Sequence, residues 1–484
     1  MPGTRLRVLS EIMERVKSEP RRNLLLHGLA GTGKTSIAIT LCRMLQVDPD
    51  VVLGGAFFCS RIANTAKLSD TRCILPTLAV SLAEHSPEFA LALAKELDTN
   101  SRASLKSITL QMTSLVQQPL DGLACSGRLI VFVIDALDEC SDKIEINRLL
   151  QAISVLKCSV TVKFILTSRP EVDIDISQIS TPNWVSIMRL RDIDAIQVSK
   201  DIHMYINDAF SRQSLDETWY TESEVTSLAA RADGLFIFAA TVISYILGTR
   251  SPNWRRARLQ KILSAINTAA AIAPLDTMYD LVLTRAANPL ETDAEELEET
   301  KLVLACILTA RVPLSVRALA ELLDRNAIDI HESLQQVSAV VHVPDQYDQQ
   351  GLRTLHASFG DYLLERADER FRISTLHGDD ALARGCLNIL VARLHFNVSQ
   401  SRSSYKPNPP VPTVLDSMPL SVRYACMHWV YHVARLPRGP TLDDDIYNNF
   451  RPRFLFWLEV MSVLGEVQRA AAMLISAKSI VRPT

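Results

Sequence analysis

The chain has 484 residues, 48% hydrophobic and 22% charged, with a formal net charge of −3. That length exceeds what one hydrophobic core serves, so roughly two to four domains are expected. The near-neutral balance speaks against a nucleic-acid polyanion as the main partner. The nine cysteines are scattered and form no CxxC pair, which reads as buried, reduced thiols. No apolar signal region opens the chain, and the longest apolar run, residues 235–247, is too short to span a bilayer. A cytoplasmic protein without a membrane span is expected.

The opening stretch, MPGTRLRVLSEIMERVKS, spaces charged and apolar residues as a short amphipathic helix, a leader over residues 1–20. NLLLH (23–27) then reads as a buried strand. It runs into Gly28-Leu-Ala-Gly31-Thr-Gly33-Lys34-Thr35, which fits G-x-x-x-x-G-K-[ST], and TSIAITLCRML (35–45) continues as a helix. In this setting the glycines let successive backbone N–H groups turn around a phosphate, and the helix N-terminus adds a favourable dipole. Gly28, Gly31, Thr32, Gly33, Lys34, Thr35 and Ser36 are therefore candidate nucleotide-binding residues. Lys34 would reach the β- and γ-phosphates and the Thr35 hydroxyl would serve Mg²⁺.

Downstream, VLGGAFFC (52–59) reads as a second strand. RLIVFVIDALDE (128–139) is an apolar strand ending in Asp135, followed by Asp138 and Glu139. An acidic residue at the C-terminal end of a buried parallel strand is placed to hold Mg²⁺, so Asp135 is the metal candidate, acting through water. Asp138 or Glu139 could orient an attacking water. VKFILTSRP (162–170) ends in Arg169, a cation that could sense a γ-phosphate or, more plainly, an exposed arginine before a turn-forming proline. NWVSIMRL (183–190) completes a five-stranded parallel α/β sheet, the first domain over 21–190.

From 191 to 290 only helical patterns appear. An acidic run, ETDAEELEET (291–300), reads as a solvated helix start or linker. Residues 303–356 then run helix, helix, helix, hairpin, a winged-helix order, within a domain spanning 291–375. The third helix carries Asp329 and Glu332 and has no Arg or Lys from Ala327 to Val343, which argues against reading DNA. Residues 376–484 form a further helical domain with a proline-rich break, YKPNPPVP (405–412), and no internal repeat. Cys426, His428 and His432 share one helix, where packing is a plainer reading than a metal site. NWRRARLQK (253–261) reads as a solvated basic helix face.

Together, GLAGTGKT, VFVIDALDE and FILTSRPE resemble the NACHT class of STAND P-loop NTPases, particularly the large NACHT family of filamentous fungi. GGAFFCSR, LPTLAVSLA, PLDTMYDLVL (274–283), LHASFGDYLLE (355–365) and SVRYACMHWVYHV (421–433) are similar to that family's pattern. The resemblance implies a nucleotide domain, a helical domain, a winged helix and more helices. It implies that His356 touches the β-phosphate of a bound diphosphate when the protein is closed. It also implies ATP or ADP as ligand, with GTP possible, and Mg²⁺. Where related proteins carry an adenine-facing Gly-x-Pro, this chain has Gly234-Leu235-Phe236.

The function so implied is a signalling switch. It would be closed with a diphosphate and open with a triphosphate, hydrolyse slowly, self-associate when activated, and act with effector or sensor proteins in fungal non-self recognition or programmed cell death. The phosphate loop opens at Gly28 and no repeat follows in 376–484, so the expectation is a switch without the effector and repeat modules of that family. A steady-turnover P-loop ATPase is the alternative, and a winged-helix DNA-binding regulator stands further off.

Overall fold

The computed structural model describes residues 3–19, 22–60, 68–123, 129–140, 142–170, 179, 181, 183–192, 195–212, 219–249, 251–268, 274–287, 294–344, 346–348, 351–398, 408, 418–437, 446 and 450–478. The chain divides into two compact units, Met1–Leu275 and Asp276–Thr484. Most of the acidic run's first half and all of the proline-rich break except Asn408 lie outside the described residues.

The first unit is built on five strands: β1 (Asn23–His27), β2 (Val51–Phe58), β3 (Leu129–Asp135), β4 (Val162–Ser168) and β5 (Val185–Arg189). They pair in the order β2-β3-β4-β1-β5, every pair parallel. This is the α/β P-loop sheet anticipated above. Its strands read as apolar runs because both faces are covered. Alternate residues supply the two faces, as a two-residue period requires. Leu24, Leu26, Val131 and Val133 join one core with α1 (Leu6–Ser18) and α2 (Lys34–Val47). Leu25, Ile130, Phe132 and Ile134 join the other. That second face is covered by α3 (Ile74–His85), α4 (Pro87–Thr99), a helical stretch over 108–121 and α5 (Lys143–Val155).

The leader helix is anchored to the sheet from below. Lys163, 1% exposed, sends its ammonium to the carbonyls of Arg15 and Glu19 at 2.6 and 2.9 Å, at the C-terminal end of α1 where the helix dipole favours a cation. After β5 the first unit continues in α6 (Ala195–Ser211), α7 (Glu222–Arg231), α8 (Phe236–Leu247) and α9 (Pro252–Thr268).

The basic stretch on α9 is solvated in part, with Asn253, Gln260 and Lys261 exposed, but its arginines also make contacts within the unit. Arg255 is buried with Nε on Thr249 O, Arg256 pairs with Glu224 and Arg258 reaches Tyr245 O. These arginines tie α9 to its neighbouring helices, because long side chains bury their stems while their heads find carbonyls and a carboxylate.

In the second unit α10 (Pro274–Ala286, whose first two residues belong to the first unit) leads to α11 (Ala294–Thr309), α12 (Val316–Leu323) and α13 (Ala327–Gln335). The antiparallel pair β6 (Val341–His342) and β7 (Arg353–Thr354) follows, giving the expected three helices and hairpin. Next come α14 (Ala357–Asp361), α15 (Thr375–Arg393), α16 (Leu420–Val433), α17 (Phe454–Val463) and α18 (Val467–Lys478).

Buried His432 on α16 spends both ring nitrogens within the protein, Nδ1 on Asp379 and Nε2 on Tyr424, each at 2.7 Å. Trp457 donates to Cys426 O, and His428 packs on Tyr424. This helix is a packing element. Among the described residues no group of three or more His, Cys, Asp or Glu could hold a metal, and no helix is long and apolar enough to cross a membrane.

Candidate nucleotide site

The site forms at the C-terminal edge of the sheet, where β4 lies between β1 and β3. β1 delivers the loop 28–33 into α2. Gly33 caps α2 at φ +90°, and Gly31 stands at φ +78°. Those left-handed conformations let the chain double back above the sheet and still start a helix, whose first amides have no intrahelical acceptor.

Lys34 opens α2 and is only 9% exposed. Its ammonium donates to Gly28 O at 2.6 Å and Leu29 O at 3.0 Å, folding the side chain back across the loop. Burial lowers its pKa, while Asp138 and Asp135 oppose that shift. Thr32 Oγ1 closes the turn on Leu29 O at 2.9 Å. Thr35 and Ser36, both exposed, occupy the first turn of α2.

The two metal candidates face each other: the Thr35 hydroxyl helps to hold the Asp135 pKa down. Asp135 is 1% exposed and accepts from Thr167 Oγ1 at 2.6 Å, the same hydroxyl accepting from Ala136 N at 2.8 Å. Burial raises its pKa, opposed by Thr167, Thr35 and Lys34. A carboxylate so desolvated and so near an ammonium suits a divalent cation, which would favour its charged form.

Beyond β3 the chain turns at Ala136, φ +55°, into a short helical turn, Leu137–Glu139. The turn carries Asp138 under β4. Asp138 accepts from Arg169 N at 3.0 Å and pairs with Arg169 Nε at 3.1 Å. Arg169 is therefore not the plain exposed arginine of the alternative reading, since its side chain is only 18% exposed. The pairing commits much of Asp138 to Arg169, and Glu139 stands half-buried in the same turn.

A third group of residues reaches the loop from elsewhere in the first unit. Arg5, buried and at φ +58°, donates from Nη2 to Thr32 O at 2.9 Å, and its own amide donates to Asp201 of α6 at 2.9 Å. Its guanidinium sits 4.9 Å from the Phe236 ring centre, and Nε and Nη1 have no hydrogen-bond partner among the described residues. Ile237, at the start of α8, donates from its amide to Gly31 O at 3.1 Å. Sequence reasoning assigned no chemistry to Arg5, Asp201 or Ile237. Phe236, of the Gly234-Leu235-Phe236 stretch, comes to the loop: a Cβ on Gly33 would lie 4.0 Å from its ring. His356 belongs to the second unit and caps α14 through Nδ1.

The donor set fits a nucleotide polyphosphate with Mg²⁺. A left-handed glycine loop, a buried ammonium and a Thr35–Asp135 pair stand at one sheet edge. A family model described as Nephrocystin 3, N-terminal matches residues 6–169, from α1 through Arg169. No curated protein matches the chain. Among solved structures it is similar to the Signal Transduction ATPase with Numerous Domains (STAND) protein with a tetratricopeptide repeat sensor from Pyrococcus horikoshii. That match has 13% identity, a TM-score of 0.42, and covers 98% of this chain. The chain spans 58% of the length of that protein. It is also similar to a RuvB variant of Thermotoga maritima at 16% identity and a TM-score of 0.27, covering 75% of this chain and 94% of that one.

Proposed function

We propose that the chain is a nucleotide-gated switch of the STAND, NACHT-like type, closed around a diphosphate and opened by a triphosphate. The observation that carries this reading is the double tie between the phosphate loop and the helical segment, Ile237 N to Gly31 O and Arg5 between Thr32 and Asp201. A loop held this way cannot adapt to a different phosphate without disturbing α8.

In this reading the loop amides and Lys34 bind the phosphates, and Thr35 with Asp135 holds Mg²⁺, which neutralises developing charge when bound. Glu139 orients the attacking water, with Asp138 the second candidate. Arg169, held by Asp138, meets the γ-phosphate. His356 meets the β-phosphate in the closed form. Turnover is slow because output depends on which state is populated, with Arg169 and Glu139 resetting the switch. The setting proposed is cytoplasmic, in fungal non-self recognition or programmed cell death, with self-association and effector or sensor proteins as partners. The arrangement 21–190, 191–290, 291–375 and 376–484 is proposed as its domain plan.

The test is to identify the nucleotide that co-purifies and to measure turnover. Retained adenosine diphosphate and turnover far below 1 s⁻¹ are expected, whereas a steadily working ATPase turns over at about 1 s⁻¹ or faster. Lys34→Ala should abolish retention; full retention by that variant refutes the loop assignment.

A further inference from the structure

Two cysteines meet beside the acidic turn of the first unit. Cys59 follows β2 and Cys140 follows the Leu137–Glu139 turn, 81 residues later, and their Sγ atoms lie 3.4 Å apart. Both are buried, at 4% and 2% exposed. Each is also held by its backbone. The Cys59 amide donates to Asp135 O at 3.0 Å, and the Cys140 amide closes the turn on Leu137 O at 3.1 Å. The parallel pairing of β2 with β3 brings one cysteine to the end of β3, and the left-handed bend at Ala136 carries the other back to it.

Contact with Cys140 and burial push the Cys59 thiol up, so at rest it keeps its proton and attacks slowly. What this pair has that a scattered thiol lacks is a partner already in place. Once one sulfur is oxidised, the other touches it, and bond formation outruns further oxidation. A disulfide spans about 2.05 Å, so the two sulfurs must close by about 1.4 Å. β2 is paired to β3 from Val51 to Phe58, so the short turn carrying Asp138 and Glu139 is the part that gives.

We propose that Cys59 and Cys140 form a modification site, at which a peroxide joins the two sulfurs and displaces the Asp138–Glu139 turn. One sulfur, as its thiolate, attacks a peroxide oxygen. The O–O bond breaks, an S–O bond forms, and the departing hydroxide takes up the thiol's proton as water. The second sulfur then attacks the sulfenic sulfur. An S–S bond forms, the S–O bond breaks, and the hydroxyl leaves with the second thiol's proton as another water. The two sulfurs together give up two electrons, and the peroxide accepts them. The effect on hydrolysis rests on the reading of Asp138 and Glu139 as water-orienting carboxylates; the bond itself does not.

The experiment treats the reduced full chain with hydrogen peroxide, blocks the remaining thiols with N-ethylmaleimide under denaturing conditions, and maps cross-linked peptides by mass spectrometry. Single-turnover hydrolysis and binding of a fluorescent ADP analogue are followed before treatment, after it, and after dithiothreitol. The expected result is a Cys59–Cys140 bridge as the main cross-link, with ADP binding kept within a fewfold. Hydrolysis should fall about tenfold or more, since about 1 Å of misplacement costs up to about a hundredfold, and recover on reduction. Oxidation or cross-links at other cysteines without this bridge, or no oxidation at all, overturns the site. That mapping uses the parent chain alone and needs neither a folded variant nor turnover. Cys140→Ser should keep its hydrolysis through the same treatment; an equal loss there overturns the coupling to the turn. So does a bridge with unchanged hydrolysis while Glu139→Gln or Asp138→Asn lowers it. If the bridge and both of those variants leave hydrolysis unchanged, the water-orienting reading fails and the modification site stands.

Discussion

Gly31→Ala puts a wedge into the tie between the phosphate loop and α8. A Cβ at residue 31 would lie 2.0 Å from Ile237 Cγ2 and 2.8 Å from Ile237 Cβ. Carbon atoms rest about 3.5–4.0 Å apart, so the first turn of α8 must retreat by roughly 1.5 Å. That movement breaks the Ile237 N to Gly31 O bond of 3.1 Å, a net loss of about 1 kcal/mol. The left-handed φ of +78° adds about 1–2 kcal/mol for an alanine. A total near 2–3 kcal/mol corresponds to roughly 30- to 150-fold faster nucleotide release, measured by displacement of a fluorescent ADP analogue.

The backbone strain acts on the loop itself and the clash acts through α8, so the two must be separated. Ile237→Ala removes the nearer atom and leaves the φ penalty untouched. In a double-mutant cycle, Gly31→Ala with Ile237→Ala should recover part of the loss, a coupling of about 1 kcal/mol. Purely additive effects would show that α8 does not feel the loop, and the switch reading would lose its support.

Other perturbations separate the remaining parts of the site. Asp135→Asn should remove most of the Mg²⁺-dependent component of nucleotide affinity, titrated with and without the metal, while leaving metal-free binding within a fewfold. Unchanged metal dependence contradicts its role. Asp138→Asn removes the anchor of Arg169 and should lower hydrolysis about tenfold or more in single-turnover assays with little effect on diphosphate binding; equal loss of both would make Asp138 a folding residue. Lys163 gives a pH signature. Burial lowers its pKa from 10.5 to about 8, so the unfolded chain binds more protons than the folded one between those values. Its charged form is a cost below about pH 8, and that cost falls away as pH rises toward 10.5. Relative to Lys163→Met, the parent should therefore gain stability in denaturant titrations from pH 8 to 10, on the order of 1–3 kcal/mol. A flat difference across that range refutes the buried-ammonium account.

What the sequence showed was what is local in it. The phosphate loop, its flanking strand and helix, and the acidic end of β3 are each written in a dozen consecutive residues, and a two-residue apolar period marks the strands regardless of their partners. The Arg5 contacts were not legible because they join residues 27 and 196 positions apart. One signal was available: Asp201 falls on the stripe of α6 that buries Val198, Ile202 and Ile206, and a carboxylate there calls for a buried partner. The α9 arginine contacts were missed for the related reason that a basic stretch looks the same whether its acceptors are water or distant carbonyls. The Asp138–Arg169 pair lay between two motifs that were each recognised, yet only the adjacency of β3 and β4 brings them together.

That adjacency bears on how a phosphate could be sensed at all. The protein grips the loop largely by its carbonyls: Gly28 and Leu29 by Lys34, Gly31 by Ile237, Thr32 by Arg5. Amide N–H groups are what a glycine-rich loop offers an anion, so ligand and helical segment use opposite poles of the same few peptide units. A peptide plane cannot rotate one pole without the other. Any phosphate that reorients these amides therefore changes the free energy of the α8 contact, and displacing α8 must change phosphate affinity by the same amount. Lys34 stands on both sides of this exchange. Its ammonium now serves two loop carbonyls, and a phosphate would compete with them for the same charge.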